Sequence, residues 1–232
     1  SRRIWEIVFG IASLAAAFTL GVAFGNILRG LPLDADGNYT GTIMGLFSGY
    51  AVLVGLLTVA MFMMHGAIYM TLKTDGEMRD RFAAWVKRGW LLTVILYAGA
   101  SFQTYSVSPF LFDGLASKPL FYVVIVIVVT GLFAVPVCAR GRRFGWAFAA
   151  SAGSIAGMIA LAGLSLYPIL IPARPDLALS LTVHTAASSP KTLLAMLVIA
   201  LIGMPLVLLY SAYMYWVFRG KVDHPDTAYS PH

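Results

Sequence analysis

The 232-residue chain is 59% apolar and only 11% charged, with a mean hydropathy of +0.83, a composition outside the range of water-soluble domains. Its formal charge of +6 would suit an anionic partner, but the basic residues sit in short connections between uncharged stretches. That placement argues against nucleic acid and for the setting of membrane orientation. The single cysteine, Cys138, excludes an internal disulfide and a multi-thiolate metal site.

Uncharged stretches long enough to cross a bilayer recur along the chain, and backbone hydrogen bonding in lipid makes each a helix. The expected architecture is an all-α integral membrane protein of six transmembrane helices, at about 4–28, 49–72, 89–107, 119–139, 144–169 and 192–218. The membrane domain covers 1–221, and the tail at 222–232, with two prolines and little apolar surface, is expected to be disordered. The chain opens on Ser1 without a Met, as a processed product or a fragment would.

The first span stops at Arg29-Gly30; Pro32 disfavours helix before it, and Asp34, Asp36 and Gly37 are turn residues. Ala17, Gly21 and Gly25 lie four apart, a smooth ridge for close approach by another helix. Glu6 is placed in the first turn, where a carboxylate suits the helix dipole. The uncharged run 42–72 is too long for one crossing, so 42–48 should lie along the interface and the second span should start near Gly49-Tyr50. His65 falls in its inner third. With Met61, Met63, Met64 and Tyr69 it could line a haem or quinone pocket, or it could hydrogen-bond a neighbouring helix.

The charged segment 73–88 reads as a solvated connection plus the first turn of the third helix, whose Trp90, Tyr97 and Tyr105 suit interface anchors. The fourth span is rich in Val and Ile, with Pro136 near its end. The fifth carries Ala149, Gly153 and Gly157 as a second small-residue ridge and ends at Tyr167-Pro168. The last span has Pro205 in its interior, which should kink it, and gathers Tyr210, Tyr213, Tyr215 and Trp216 at its end. With six spans, twelve Lys and Arg fall on one side and four (Arg29, Lys118, Arg174 and Lys191) on the other, which puts both ends in the cytoplasm.

The missing chemistry narrows function further. No Asp or Glu lies in the central part of a span, where proton- or ion-coupled transporters usually keep one. No GxxxxGK[ST] sequence is present, and of the four histidines only His65 is inside a span, against the two expected of a bis-histidine membrane cytochrome. No residue is assigned a catalytic or metal-ligating role. The residues alone describe a helical membrane subunit made for packing.

Four segments carry a resemblance. They are GNILRGLPLDADGNYTG from Gly25, HGAIYMTLKTDGEM from His65, SLTVHTAASSPKTL from Ser180 behind Tyr167-Pro168 and Pro172, and the aromatic ending from Tyr210 to Arg-Gly-Lys-Val. In this order and spacing they resemble the second, smaller subunit of the cytochrome bd type quinol oxidases, over its C-terminal two-thirds. Members of that family are longer, with about three further spans before the point where this chain starts, including a Gly-Phe-Asp-Leu-Gly type segment absent here. The acidic residue linked to proton or oxygen entry lies in that part and is not carried over.

The resemblance implies part of a tandem four-helix-bundle architecture. The first span would complete one bundle, the next four would form the second, and the last helix would be peripheral. It implies a supporting, haem-free subunit of a multi-pass terminal oxidase of the bacterial inner membrane, which reduces O2 to water with electrons from quinol. Haem b and haem d would belong to a larger partner subunit. A small single-helix subunit, membrane lipid and, in some members, a structural quinone complete the expected partners. Asn26, Arg29 and His65 are the candidates for contact with a quinone head group or the partner. The alternatives are a membrane transporter or permease subunit, and a haem-binding anchor that uses His65.

Overall fold

The computed structural model describes residues 2–218 and 220. Its six long helices are α1 (Arg2–Arg29), α2 (Gly49–Lys73), α3 (Gly76–Val107), α4 (Pro119–Arg140), α5 (Phe144–Leu166) and α6 (Pro190–Val217). Five of them, all but α3, are long and apolar enough to cross a membrane. The tail expected at 222–232 lies outside the described residues.

Helices α2 to α5 form a four-helix bundle around shared apolar clusters. Met64 and Ile68 of α2 meet Val86 of α3, Val135 of α4 and Ala147 of α5 near one end. Leu57, Met61 and Ala100 form the middle, and Val124, Val128 and Leu132 line the α4 side. Polar bonds cross the same contacts: Trp90 Nε1 donates to Leu132 O at 2.8 Å, so this ring points into the bundle and not to the interface. Tyr97 also packs inward, whereas Tyr105 is exposed and meets Phe112 edge-on.

Helix α1 packs along α2, and the spacing of its glycines explains how. A Cβ on Gly21 would lie 2.7 Å from Gly55 Cα, and one on Gly25 would lie 2.9 Å from Ala51 Cα. The two backbones touch through small residues on both sides, as the ridge at Ala17, Gly21 and Gly25 implied. The ridge expected on α5 is misplaced. Ala149 is exposed and a Cβ on Gly153 would meet nothing; the buried stripe is Ala147, Ser151, Ser154 and Gly157, of which Ser154 and Gly157 pack on Gly131 and Val128 of α4 and Ser151 meets His65 of α2. Both faces of α5 carry small residues, so their spacing does not choose between them.

The charged stretch after α2 is not a loop. Only Thr74 and Asp75 break the helix, and α3 begins at Gly76, well before Gly89. The charges form i,i+4 pairs, Asp75–Arg79 at 3.2 Å and Glu77–Arg81 at 3.8 Å, which support helix. Helix α1 likewise begins at Arg2, which leaves Glu6 beyond the first turn. Helix α6 continues through Pro205.

The expectation of helices alone also needs correction. The connections 30–48 and 167–189 interlock at one end of the molecule through short strands, β1 (Leu31–Pro32), β2 (Ile169–Ile171), β3 (Ala173–Arg174) and β4 (Leu181–Thr182). β1 pairs in parallel with β3, and β2 pairs antiparallel with β4. The fifth helix therefore stops at Leu166, and 169–171 is strand. Helix α6 is different in kind, for none of its residues is buried.

Candidate functional site

The end of α1 is where the chain turns over, and Gly30 makes it possible. Its φ of +86° is a left-handed conformation that favours glycine, and its N–H returns to Asn26 O at 2.9 Å, closing the helix. One turn back, Asn26 is only 4% exposed. Its amide donates to Val22 O at 2.9 Å and to Leu46 O at 2.7 Å, in the 3₁₀ turn Ile43–Phe47. Among the described residues its buried Oδ1 has no hydrogen-bond partner. Arg29 donates to Gly45 O of the same turn at 3.3 Å. Both side chains thus fasten the α1–α2 connection to the helix end.

Beside them lies Arg174 of β3. Its guanidinium donates to Val107 O at the end of α3, and burial, then the neighbouring positive charge of Arg29, push its pKa below the usual arginine range. In the adjoining turn, the Asp34 carboxylate accepts from the backbone N–H groups of Asn38 at 2.8 Å and Asp36 at 3.0 Å. These bonds hold its pKa below the ordinary carboxylate value.

His65 belongs to another place. Its Nδ1 lies 2.8 Å from Ser151 Oγ on α5, and that hydroxyl also donates to Phe148 O at 2.9 Å. The ring faces Phe148 with centroids 4.5 Å apart. Since Gly25 packs on Ala51, His65 is 14 residues further along α2, about 21 Å at the helical rise. Asn26 and Arg29 therefore share one site, and His65 is not part of it.

Sequence reasoning missed a cleft. About 590 Å³ of space opens among α1 to α5, walled by apolar side chains such as Leu20, Phe24 and Phe121. At one end Tyr50 donates to Thr104 Oγ1 at 2.8 Å, and Thr104 donates to Ala100 O at 2.7 Å. The volume lies in the range of ligand sites, about 300–1,000 Å³, and the polar side chains on its wall are few: Tyr50, Thr58, Tyr97, Ser101, Thr104 and Ser165. A long isoprenoid or acyl chain with a small polar head fits this chemistry. A haem held by two imidazoles does not, because His65 is the one histidine of the six helices. Among the described residues no three His, Cys, Asp or Glu side chains gather as a metal site.

The family described as cytochrome bd terminal oxidase subunit II matches residues 1–218. Along the whole chain the sequence is similar to cytochrome bd-I ubiquinol oxidase subunit 2 of Escherichia coli strain K12, 29% identical over 261 residues, 100% of this chain and 69% of the relative. It is also 29% identical over 226 residues to cytochrome bd ubiquinol oxidase subunit 2 of Bacillus subtilis strain 168, covering 97% of this chain and 65% of that protein. A chain in the structure of the bd oxidase from Geobacillus thermodenitrificans matches with a TM-score of 0.73 over 95% of this chain and 66% of its own length; at 23% identity this likeness concerns the fold. With a family match across all six helices, the chain belongs to the cytochrome bd terminal oxidase subunit II family.

Proposed function

We propose that this chain is the supporting, haem-free subunit of a membrane quinol oxidase that passes electrons from quinol to O2 and makes water. The observation that carries the reading is the family match from residue 1 to 218. The donor set agrees with it, since the chain offers one intramembrane imidazole whose Nδ1 is already engaged with Ser151. Haem b and haem d belong to the larger partner subunit, which binds O2 and performs the electron transfer. This chain's residues build the wall against which that subunit folds.

In this reading α3 is the sixth membrane span, with its apolar half at 89–107 in the bilayer and its charged first turns outside it. Both chain ends lie in the cytoplasm, on the side rich in Lys and Arg. Helices α2 to α5 are the second of two tandem bundles, α1 belongs to the first, and α6 is peripheral. The bare N-terminal half of α1, where Trp5 and Phe9 are about three-quarters exposed at 74% and 75%, supports an outward packing face. A structural quinone is assigned to the cleft beside Tyr50, with its isoprenoid tail along the apolar wall. Asn26 and Arg29 act by holding the connection 30–48 over that end of the bundle. A small single-helix subunit and lipid complete the assembly.

The test is purification of the chain from a host that also expresses the larger subunit. Co-elution of the two, quinol oxidase activity in the complex, and a haem content unchanged in His65→Ala support the proposal. A haem absorption band carried by this chain alone and lost in His65→Ala overturns the haem-free assignment. Substrate uptake by vesicles holding this chain alone would favour a transporter.

A further inference from the structure

We propose that the outer groove between α2 and α3, at the basic end of the molecule, holds one acyl chain of an anionic phospholipid whose phosphate rests on Arg88. The groove encloses about 370 Å³, walled by Met63, Gly66 and Met70 from α2 and by Trp85, Arg88 and Leu92 from α3. Its shape follows from two glycines. At Gly89 the helices are in contact, for a Cβ there would lie 3.2 Å from Met64 Cα; at Gly66 a Cβ would meet nothing within 4 Å, so the groove has an open floor.

Charge decides what occupies it. The Arg88 guanidinium carbon sits 5.6 Å from the Trp85 ring centroid, which holds the cation at the groove wall and on the side toward the basic end. Arg79, Arg81 and Arg142 at this end each have a carboxylate partner, in Asp75, Glu77 and Asp80. Among the described residues neither Arg88 nor the adjoining Lys87 has one. Arg88 also marks the border between the charged turns of α3 and its apolar half, the depth at which lipid phosphates lie. An apolar groove with an unpaired cation at that depth matches a fatty chain joined to a phosphate.

The test uses the complex purified with its partner subunit in mild detergent and equilibrated with phosphatidylglycerol or phosphatidylcholine, with retained lipid counted by native mass spectrometry. The wild type retains phosphatidylglycerol in preference. Arg88→Gln lowers that preference about five-fold, the effect of one basic residue at an anionic surface. Gly66→Leu, whose Cβ would meet nothing within 4 Å, fills the floor of the groove and lowers retention of both lipids. Equal lipid retention in wild type and both variants overturns the proposal. So does a Gly66→Leu complex that loses its partner subunit with lipid unchanged, because the groove is then a protein contact.

Discussion

Helices α4 and α6 are built from nearly the same apolar residues, yet they end in opposite situations. Helix α4 buries Val124, Val128, Leu132 and Val135 and brings Gly131 against the backbone of α5. Helix α6 buries nothing, and a Cβ on its Gly203 would meet no atom. In lipid, apolarity cannot account for this contrast, because acyl chains solvate leucine as well as another leucine does. The difference lies in reciprocal fit. Gly131 finds Ala150 and Ser154, Gly21 finds Gly55, and Trp90 and Tyr50 add hydrogen bonds across helices. Among the described residues α6 has a polar link to the bundle at its end, where Lys73 donates to Phe218 O.

The strongest way to break the contrast is to fill a seam. Gly21→Leu puts side-chain atoms where Gly55 Cα and Thr58 already lie, at 2.7 and 2.5 Å from the Cβ position. The expected cost is about 1–3 kcal/mol or more, seen as a lowered melting temperature and yield of the detergent-purified complex. Gly203→Leu on α6 should leave the melting temperature unchanged. A more local effect is expected from Asn26→Leu, which removes the donors to Val22 O and Leu46 O and strands the second carbonyl. About 1–3 kcal/mol of local stability should be lost. Faster proteolysis within 31–48, with the helices intact by circular dichroism, would report it.

How far this contrast was legible in the chain differs from helix to helix. On α1 glycines stand on one face, so a spacing of four named the seam. On α5 small residues stand all round, and Ala149 and Gly153 were read as the seam when Ser151 and Ser154 form it. The charged segment 73–88 suggested a solvated connection and only the first turn of the third helix, because ion pairing along a helix face looks the same in sequence as solvation. The β1–β3 and β2–β4 ladders rest on main-chain hydrogen bonds, in the first case between segments about 140 residues apart, and leave no side-chain pattern to read. Of the site, Asn26 and Arg29 were visible as polar residues at a helix end. The cleft was not, since its wall draws on α1 to α5 together.

A milder perturbation sharpens the role of polar links inside the bundle. Tyr50→Phe keeps the ring that fills the buried position and removes the hydrogen bond to Thr104. The loss should be about 0.6–1.5 kcal/mol, near the average for interhelical bonds in membranes. It is measured as a shift in the melting curve, and binding of the quinone proposed for the adjoining cleft gives a second readout.

The smallest expected effect is on α6. Leu201 is 66% exposed, so Leu201→Ala opens no cavity in this chain. A buried leucine truncated in the same way would cost about 2–5 kcal/mol; here the change should stay within about 0.5 kcal/mol. The melting temperature of the complex, compared with that of Leu132→Ala in α4, separates the two cases. If Leu201→Ala destabilises as much as Leu132→Ala, α6 is packed against a neighbour in the assembly, and its bareness here is a surface made for another chain. An unchanged melting temperature leaves α6 facing lipid and tied to the bundle at its end.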